Sequence, residues 1–290
     1  MNPSTTASGT FDALELTVFS QGVAMLAEEM GGLLERSSIS PNIRERRDAS
    51  CALFDAAGRM VAQAAHIPVH LGAMPESVAA VRAAGARAGD LFLLNDPSHG
   101  GSHLPDLTMV EVIAHPQDAE RIIGYAAVRA HHADVGGMSP GSMPFGATEL
   151  YQEGIIVPPV RLEVQGIPQR DLLALLLANV RTPAEREGDL RAQRAACAAG
   201  RVGWQALFLR LGEQSLTAAV DALLDYTERR VRARLALLDG AEGHAADALE
   251  GDGVSDEAIP VVVHARVEHG TLHLDLTGTS PAVRLSLIHI

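Results

Sequence analysis

His103, Asp106, His131, His132 and Asp134 fall in two short glycine-flanked segments, Asn95-Asp-Pro-Ser-His-Gly-Gly-Ser-His-Leu-Pro-Asp106 and His131-His-Ala-Asp-Val-Gly-Gly137. Imidazoles and carboxylates hold divalent metals and move protons near neutral pH, and glycines let a backbone close around whatever they hold. Seven of the twelve histidines lie between His66 and His132, whereas residues 170–239 contain none, so the clustering marks a site.

His103 and Asp106 are three residues apart, and in a tight turn both can face one ion, with His131 supplied from an adjacent strand end. Two histidines and one carboxylate leave coordination positions open, the pattern of a catalytic metal site, compatible with Zn, Mn or Fe(II). The competing reading is loop capping by aspartate and ordinary polar packing by histidine. His132 and Asp134 read as groups beside a ligand imidazole, a carboxylate orienting it and either of the two relaying a proton, with a solvent-exposed or packing residue the alternative for His132. His66 and His70 flank Ile67-Pro-Val69, and the proline keeps them off a shared helix face. Each is either structural or a pocket residue, His70 handling protons and His66 touching substrate. Asn95 and Asp96 are a turn cap or a substrate-binding pair. The run Arg44-Glu-Arg-Arg-Asp48 reads as a solvated charge cluster, and Cys51 as a buried, inert thiol.

The elements that must position these groups follow from periodicity. Residues 11–38 carry a helical apolar stripe that Ser40-Pro41 breaks, and residues 49–54 and 59–64 form a hairpin about Asp55-Ala-Ala-Gly58. A short helix opens at Pro75. Strands at 91–94, 107–113 and 121–130 place both chemical segments at strand ends, where loops on a rigid sheet carry function. Residues 138–159 read as an extended wrapping loop. Thr182-Pro-Ala-Glu185 is a capping-box helix start. One helix from there to about 211, broken near Gly200 and Gly203, and another over 215–238 would form a helical hairpin. Strands return at 259–267 and 271–276 about Glu268-His-Gly270.

Composition bounds the function. The 290 residues suffice for a substantial core, and a formal charge of −13 with few clustered cations excludes a nucleic-acid backbone binder. No run is long and apolar enough for a membrane, the N-terminus has no signal-peptide character, and two cysteines make no disulfide framework, so a cytoplasmic protein is expected. The sequence contains no lysine, which excludes a Walker-A loop, a pyridoxal Schiff base and any lysine nucleophile within it. The glycine-rich text fits no dinucleotide fingerprint.

Ser40-Pro-Asn-Ile-Arg-Glu-Arg-Arg-Asp-Ala-Ser-Cys51, Ala65-His-Ile-Pro-Val-His-Leu-Gly-Ala-Met74, Asn95-Asp-Pro through His103-Leu-Pro-Asp106, and His131 through Gly137 occur in order. Together they resemble the hydantoinase B/oxoprolinase family over residues 14–280. The resemblance implies the B-type component of ATP-dependent N-methylhydantoinases, 5-oxoprolinases and the related acetone and acetophenone carboxylases. In these an A-type partner with an actin-like ATPase fold activates a carbonyl oxygen by phosphorylation, and the B-type part completes hydrolysis or carboxylation. By motif position His103, Asp106 and His131 would hold a divalent metal, as their counterparts do in the acetone carboxylase branch. Family members run on past Asp275-Leu-Thr-Gly-Thr-Ser280, whereas the pattern here is lost near Arg284.

The expected fold is therefore α+β, with mixed sheets, site loops at strand ends and a long helical hairpin, and C-terminally incomplete. Within one domain over 1–290, residues 11–165 form an α/β region with the site, 170–239 the helical hairpin and 241–290 the start of a truncated β region. The expected function is ring opening of a hydantoin or 5-oxoproline within a hetero-oligomer, ATP being held by the A-type partner and this chain being inactive alone. A carboxylase component is the alternative, and a non-catalytic assembly scaffold the alternative of another class.

Overall fold

Asp12 begins the first helix, α1 (Ala13–Ser37), with a complete capping box: its side chain accepts from the Glu15 N–H, and the Glu15 side chain accepts from the Asp12 N–H. Phe19, Val23, Leu26, Met30 and Leu34 then recur at helical spacing and are buried. After the single turn α2 (Pro41–Arg44) come the hairpin strands β1 (Ala49–Asp55) and β2 (Met60–Ala65), then helix α3 (Met74–Ala83). Strands β3 (Leu91–Leu94), β4 (Asp106–His115) and β5 (Asp118–His131) follow. A short turn α4 (Leu150–Glu153) lies in the wrapping loop, and strands β6 (Val160–Val164) and β7 (Ile167–Pro168) close the first sheet. Helices α5 (Arg170–Ala178), α6 (Pro183–Leu211) and α7 (Glu213–Ala236) precede strands β8 (Glu242–Leu249), β9 (Ile259–Glu268) and β10 (Thr271–Asp275).

This computed structural model describes residues 11–70, 72–141, 144, 146–251, 257–281 and 283. The N-terminal ten residues, Leu71 of the second motif, three residues of the 138–159 loop and the 284–290 tail, on which parts of the sequence reading rest, lie outside the described residues. No described helix is long and apolar enough to cross a membrane.

Seven strands form one sheet in the order β2-β1-β5-β4-β3-β6-β7, and three form another in the order β10-β9-β8. The α+β class holds. Where mixed sheets were expected, every described pairing is antiparallel, because neighbouring strands are joined largely by hairpins and no helix crosses between parallel neighbours. Side-chain alternation divides the large sheet into two buried faces. Cys51, Leu53, Leu93, Leu107, Met109, Val128 and Ala130 meet the layer of α1, α6 and α7. Their neighbours Ala52, Phe54, Phe92, Leu94, Val110, Val112 and Ala127 meet Met74, Val78 and Val81 of α3.

The helix expected to break near Gly200 and Gly203 is continuous. A Cβ at Gly200 would lie 2.6 Å from Met30 Sδ and 3.0 Å from Ala126 Cβ, and one at Gly203 would lie 2.3 Å from Leu26 Cδ1. These glycines admit α1 and β5 against α6, and packing overrides their low helix propensity. Thr182 does sit at the N-cap of α6 with Pro183 next, but its side chain makes no capping bond. Glu185 pairs instead with Arg186. Strand β8, of sequence Glu-Gly-His-Ala-Ala-Asp-Ala-Leu, lacks β-branched residues and went unread; pairing along β9 holds it.

Gly22 and Gly200 separate helix propensity from packing. An added Cβ at Gly22 meets nothing within 4 Å, so Gly22→Ala should raise stability by about 0.5–1 kcal/mol. Gly200→Leu should lower it by about 1–3 kcal/mol through overpacking. Urea unfolding at unchanged slope reads both; a Gly200→Leu protein as stable as its parent would contradict the close approach of α1 to α6.

Candidate metal centre

Antiparallel register builds the site. β4 and β5 set Asp106 directly opposite His131 and Thr108 opposite Arg129, while β1 sets Ser50 opposite Arg129 from the other side. The His131 N–H donates to the Asp48 carbonyl at 3.0 Å, bringing Asp48 alongside just before β1 begins. By alternation these side chains share the face that carries α3.

The loop between β3 and β4 supplies His103. Its base is fixed by Asn95, whose fully buried amide donates to the Leu104 and Ile155 carbonyls and accepts from the Val157 N–H. Asp96 accepts from the Ser98 N–H at 2.8 Å and caps a single 3-10 turn, after which Gly100 adopts a φ of +83° that glycine tolerates without strain. The Asp106 N–H then donates to the His103 carbonyl at 3.0 Å, so the three-residue spacing is realised as a tight turn.

Three imidazoles surround one carboxylate. His103 Nδ1 lies 3.0 Å from Asp106 Oδ2, His131 Nδ1 3.3 Å from Oδ1, and His70 Nε2 3.3 Å from Oδ2. Asp48 stands at the edge, 3.8 Å from both His70 Nε2 and His131 Nδ1. The ligand atoms of His103, Asp106 and His131 all lie within 4.8 Å of one another. Burial alone would raise the Asp106 pKa, but the imidazoles of His103, His131 and His70 outweigh it and hold the carboxyl well below its usual range. Despite these distances, neither Asp106 oxygen nor His70 Nε2 is aligned in a hydrogen bond. Buried oxygens without such partners, with imidazole nitrogens around them, are groups that could hold a divalent cation, since ligands each about 2 Å from one ion lie about 3–4 Å apart.

Of the residues singled out in the sequence, the structure brings together His70, His103, Asp106 and His131. His132 is turned away, because one step along β5 reverses the face. It is fully buried against α6, with Nε2 2.8 Å from Gln193 Oε1. Asp134 is committed to the Arg181 N–H and guanidinium. Asn95 and Asp96 are spent on the backbone contacts above and on His99, and His66 packs on α1 at Gly31 near Glu28. Sequence reading missed Asp48, concealed in a run of charges, and Ser50 and Arg129, which only the strand register reveals.

A family profile described as hydantoinase B/oxoprolinase matches residues 12–287. An uncharacterized protein of Methanocaldococcus jannaschii is 36% identical over 92% of this chain and 47% of its own length. The B-type subunit of a putative D-/L-hydantoinase from a Pseudomonas species is 31% identical over 94% of this chain and 48% of its own. The crystal structure of the ATP-dependent caprolactamase of Pseudomonas jessenii superposes with a TM-score of 0.85 at 29% identity, covering 95% of this chain and 48% of that one. The chain spans about half the length of these relatives.

His132 yields a pH test. Burial lowers its pKa to about 4, against about 6.5 in an unfolded chain. The unfolded state therefore binds the proton first, so the stability tied to neutral His132 is complete above about pH 6.5 and is lost as pH falls toward 4. In His132→Leu the stability difference between about pH 7.5 and pH 5 should shrink by on the order of 2 kcal/mol. An unchanged pH dependence in urea unfolding would contradict the buried, neutral imidazole.

Proposed function

The chain belongs to the hydantoinase B/oxoprolinase family, and from that membership we propose that it is the B-type component of an ATP-dependent cyclic-amide hydrolase that opens a hydantoin or 5-oxoproline ring. The observation that carries this reading is the convergence of His103, Asp106 and His131 about two buried carboxylate oxygens that no hydrogen bond satisfies. The relatives named for a hydantoinase and for an ATP-dependent caprolactamase support the cyclic-amide class.

In this reading His103, Asp106 and His131 hold a divalent cation, Mn, Zn or Fe. When bound it supplies Lewis acidity toward a carbonyl or water oxygen. Asp106 remains ionised among its imidazoles and provides the anionic ligand. His70, anchored by Nδ1 on Ser50 Oγ at 3.0 Å, presents Nε2 to Asp106 at 3.3 Å and is placed to give or take a proton beside it. Asp48, with its side chain 23% exposed, is the accessible carboxylate that takes a proton from water attacking the activated ring carbonyl. His103, 19% exposed, forms the side from which substrate approaches. Proton handling thus falls to Asp48 and His70 rather than to His132 and Asp134, and Asn95, Asp96 and His66 shape the surroundings without touching substrate.

ATP chemistry falls to an A-type partner. The chain has no lysine to grip phosphates, and a relative named as one subunit of a hydantoinase supports assembly with a second polypeptide. Elemental analysis should find a divalent metal in the purified protein that is lost in His103→Ala and Asp106→Ala; full occupancy in both would sink the metal reading. Phosphate release with a cyclic amide should require the A-type partner and fall at least about a hundredfold with Asp106→Asn. ATP turnover by the isolated chain would refute the division of labour.

A further inference from the structure

Arg129 is a fully buried cation on β5 with no carboxylate within ion-pairing distance among the described residues. Its Nε donates to Thr108 Oγ1 at 2.8 Å, Nη1 to Ser102 Oγ at 2.7 Å, and Nη2 to Ser77 Oγ at 2.8 Å and the Gly100 carbonyl at 2.7 Å. Burial lowers its pKa and the charge of Asp106 opposes that shift. A buried charge held only by neutral acceptors costs stability that an apolar side chain would not, and α3 already packs apolar groups on this face. Plain packing therefore does not account for an arginine here.

What the planar guanidinium supplies is four hydrogen bonds from one fixed fork, joining β5 to β4, the 100–102 loop and α3. All of these but α3 lie next to a ligand: Ser102 precedes His103, Thr108 is two residues along β4 from Asp106, and Arg129 is two residues along β5 from His131. The loop it grips has no slack. A Cβ at Gly100 would lie 2.5 Å from the Ser77 N, and one at Gly101 2.1 Å from the Asn95 carbonyl oxygen. The Ser77 hydroxyl also donates to the Gly100 carbonyl at 2.7 Å, so loop, helix α3 and strand β5 share one knot.

We propose that Arg129 is a positioning residue of the metal centre, a clasp that holds the 100–102 loop against α3 and so fixes His103 in register with Asp106 and His131. The proposal rests on the metal reading above. Cobalt(II) titration of the full chain, followed by absorption of the bound ion, tests it beside amide hydrogen exchange of the metal-free protein. Arg129→Met should bind cobalt at least about tenfold more weakly with an altered spectrum, and Ser102→Ala a few-fold more weakly. Arg129→Lys should recover part of the affinity. Amides of residues 101–103 should exchange faster in Arg129→Met while those in the middle of α6 keep their protection. Should Arg129→Met not fold, Ser102→Ala, which removes a single acceptor on the loop, decides. Parental cobalt affinity and spectrum in the folded variants would overturn the clasp. Absence of cobalt binding by the unsubstituted chain would overturn the metal reading itself, and the clasp with it.

Discussion

The pairing of β4 with β5, which sets Asp106 opposite His131, is the constraint on which the rest depends. Because strand side chains alternate, a slip of one residue would send Asp106 and Thr108 toward α6 and bring Leu107 and Met109 onto the face of α3. Both faces are buried, so such a slip would place a carboxylate and a hydroxyl in an apolar layer and leave aliphatic groups among imidazoles. The hydrophobic pattern of the sheet and the geometry of the site thus enforce the same register.

Burial gives the cluster its character. Asp106 has lost its water and has three imidazoles in exchange, so its charge is confined where the interaction with a cation is strong. Elsewhere, too, buried charges tie distant segments together. Asp90 on the approach to β3 holds Arg161 of β6 and the Gln165 N–H, and Asp134 holds the start of the α6 segment through Arg181. The wrapping loop, which carries only the short turn α4 among its described residues, is thereby anchored at both flanks.

Much of this was legible in the sequence, and the limits have physical causes. The strands, the first helix and the histidine-rich segments announce themselves through local periodicity and residue type. His103 with Asp106 could be paired because their turn is local, and His131 because its strand ends nearby. His132 misled because adjacency in sequence means opposite faces in a strand. Asp48 lay among arginines that suggested only solvent, and its approach depends on the non-local pairing of β1 with β5. Asn95 looked like a binding residue because a buried amide that satisfies backbone groups has no distinguishing local pattern. The continuity of α6 through two glycines is equally non-local, since α1 supplies the reason.

The three proposed ligands sit on one hairpin and the turn that leads into it, whereas the layer behind them joins α1 to α6 from far apart in the chain. Closing the hairpin restricts a short loop; bringing α1 onto α6 closes a much longer one and carries the larger entropic cost. The chelating corner is therefore drawn together at a smaller entropic cost than the hydrophobic layer that insulates its far side.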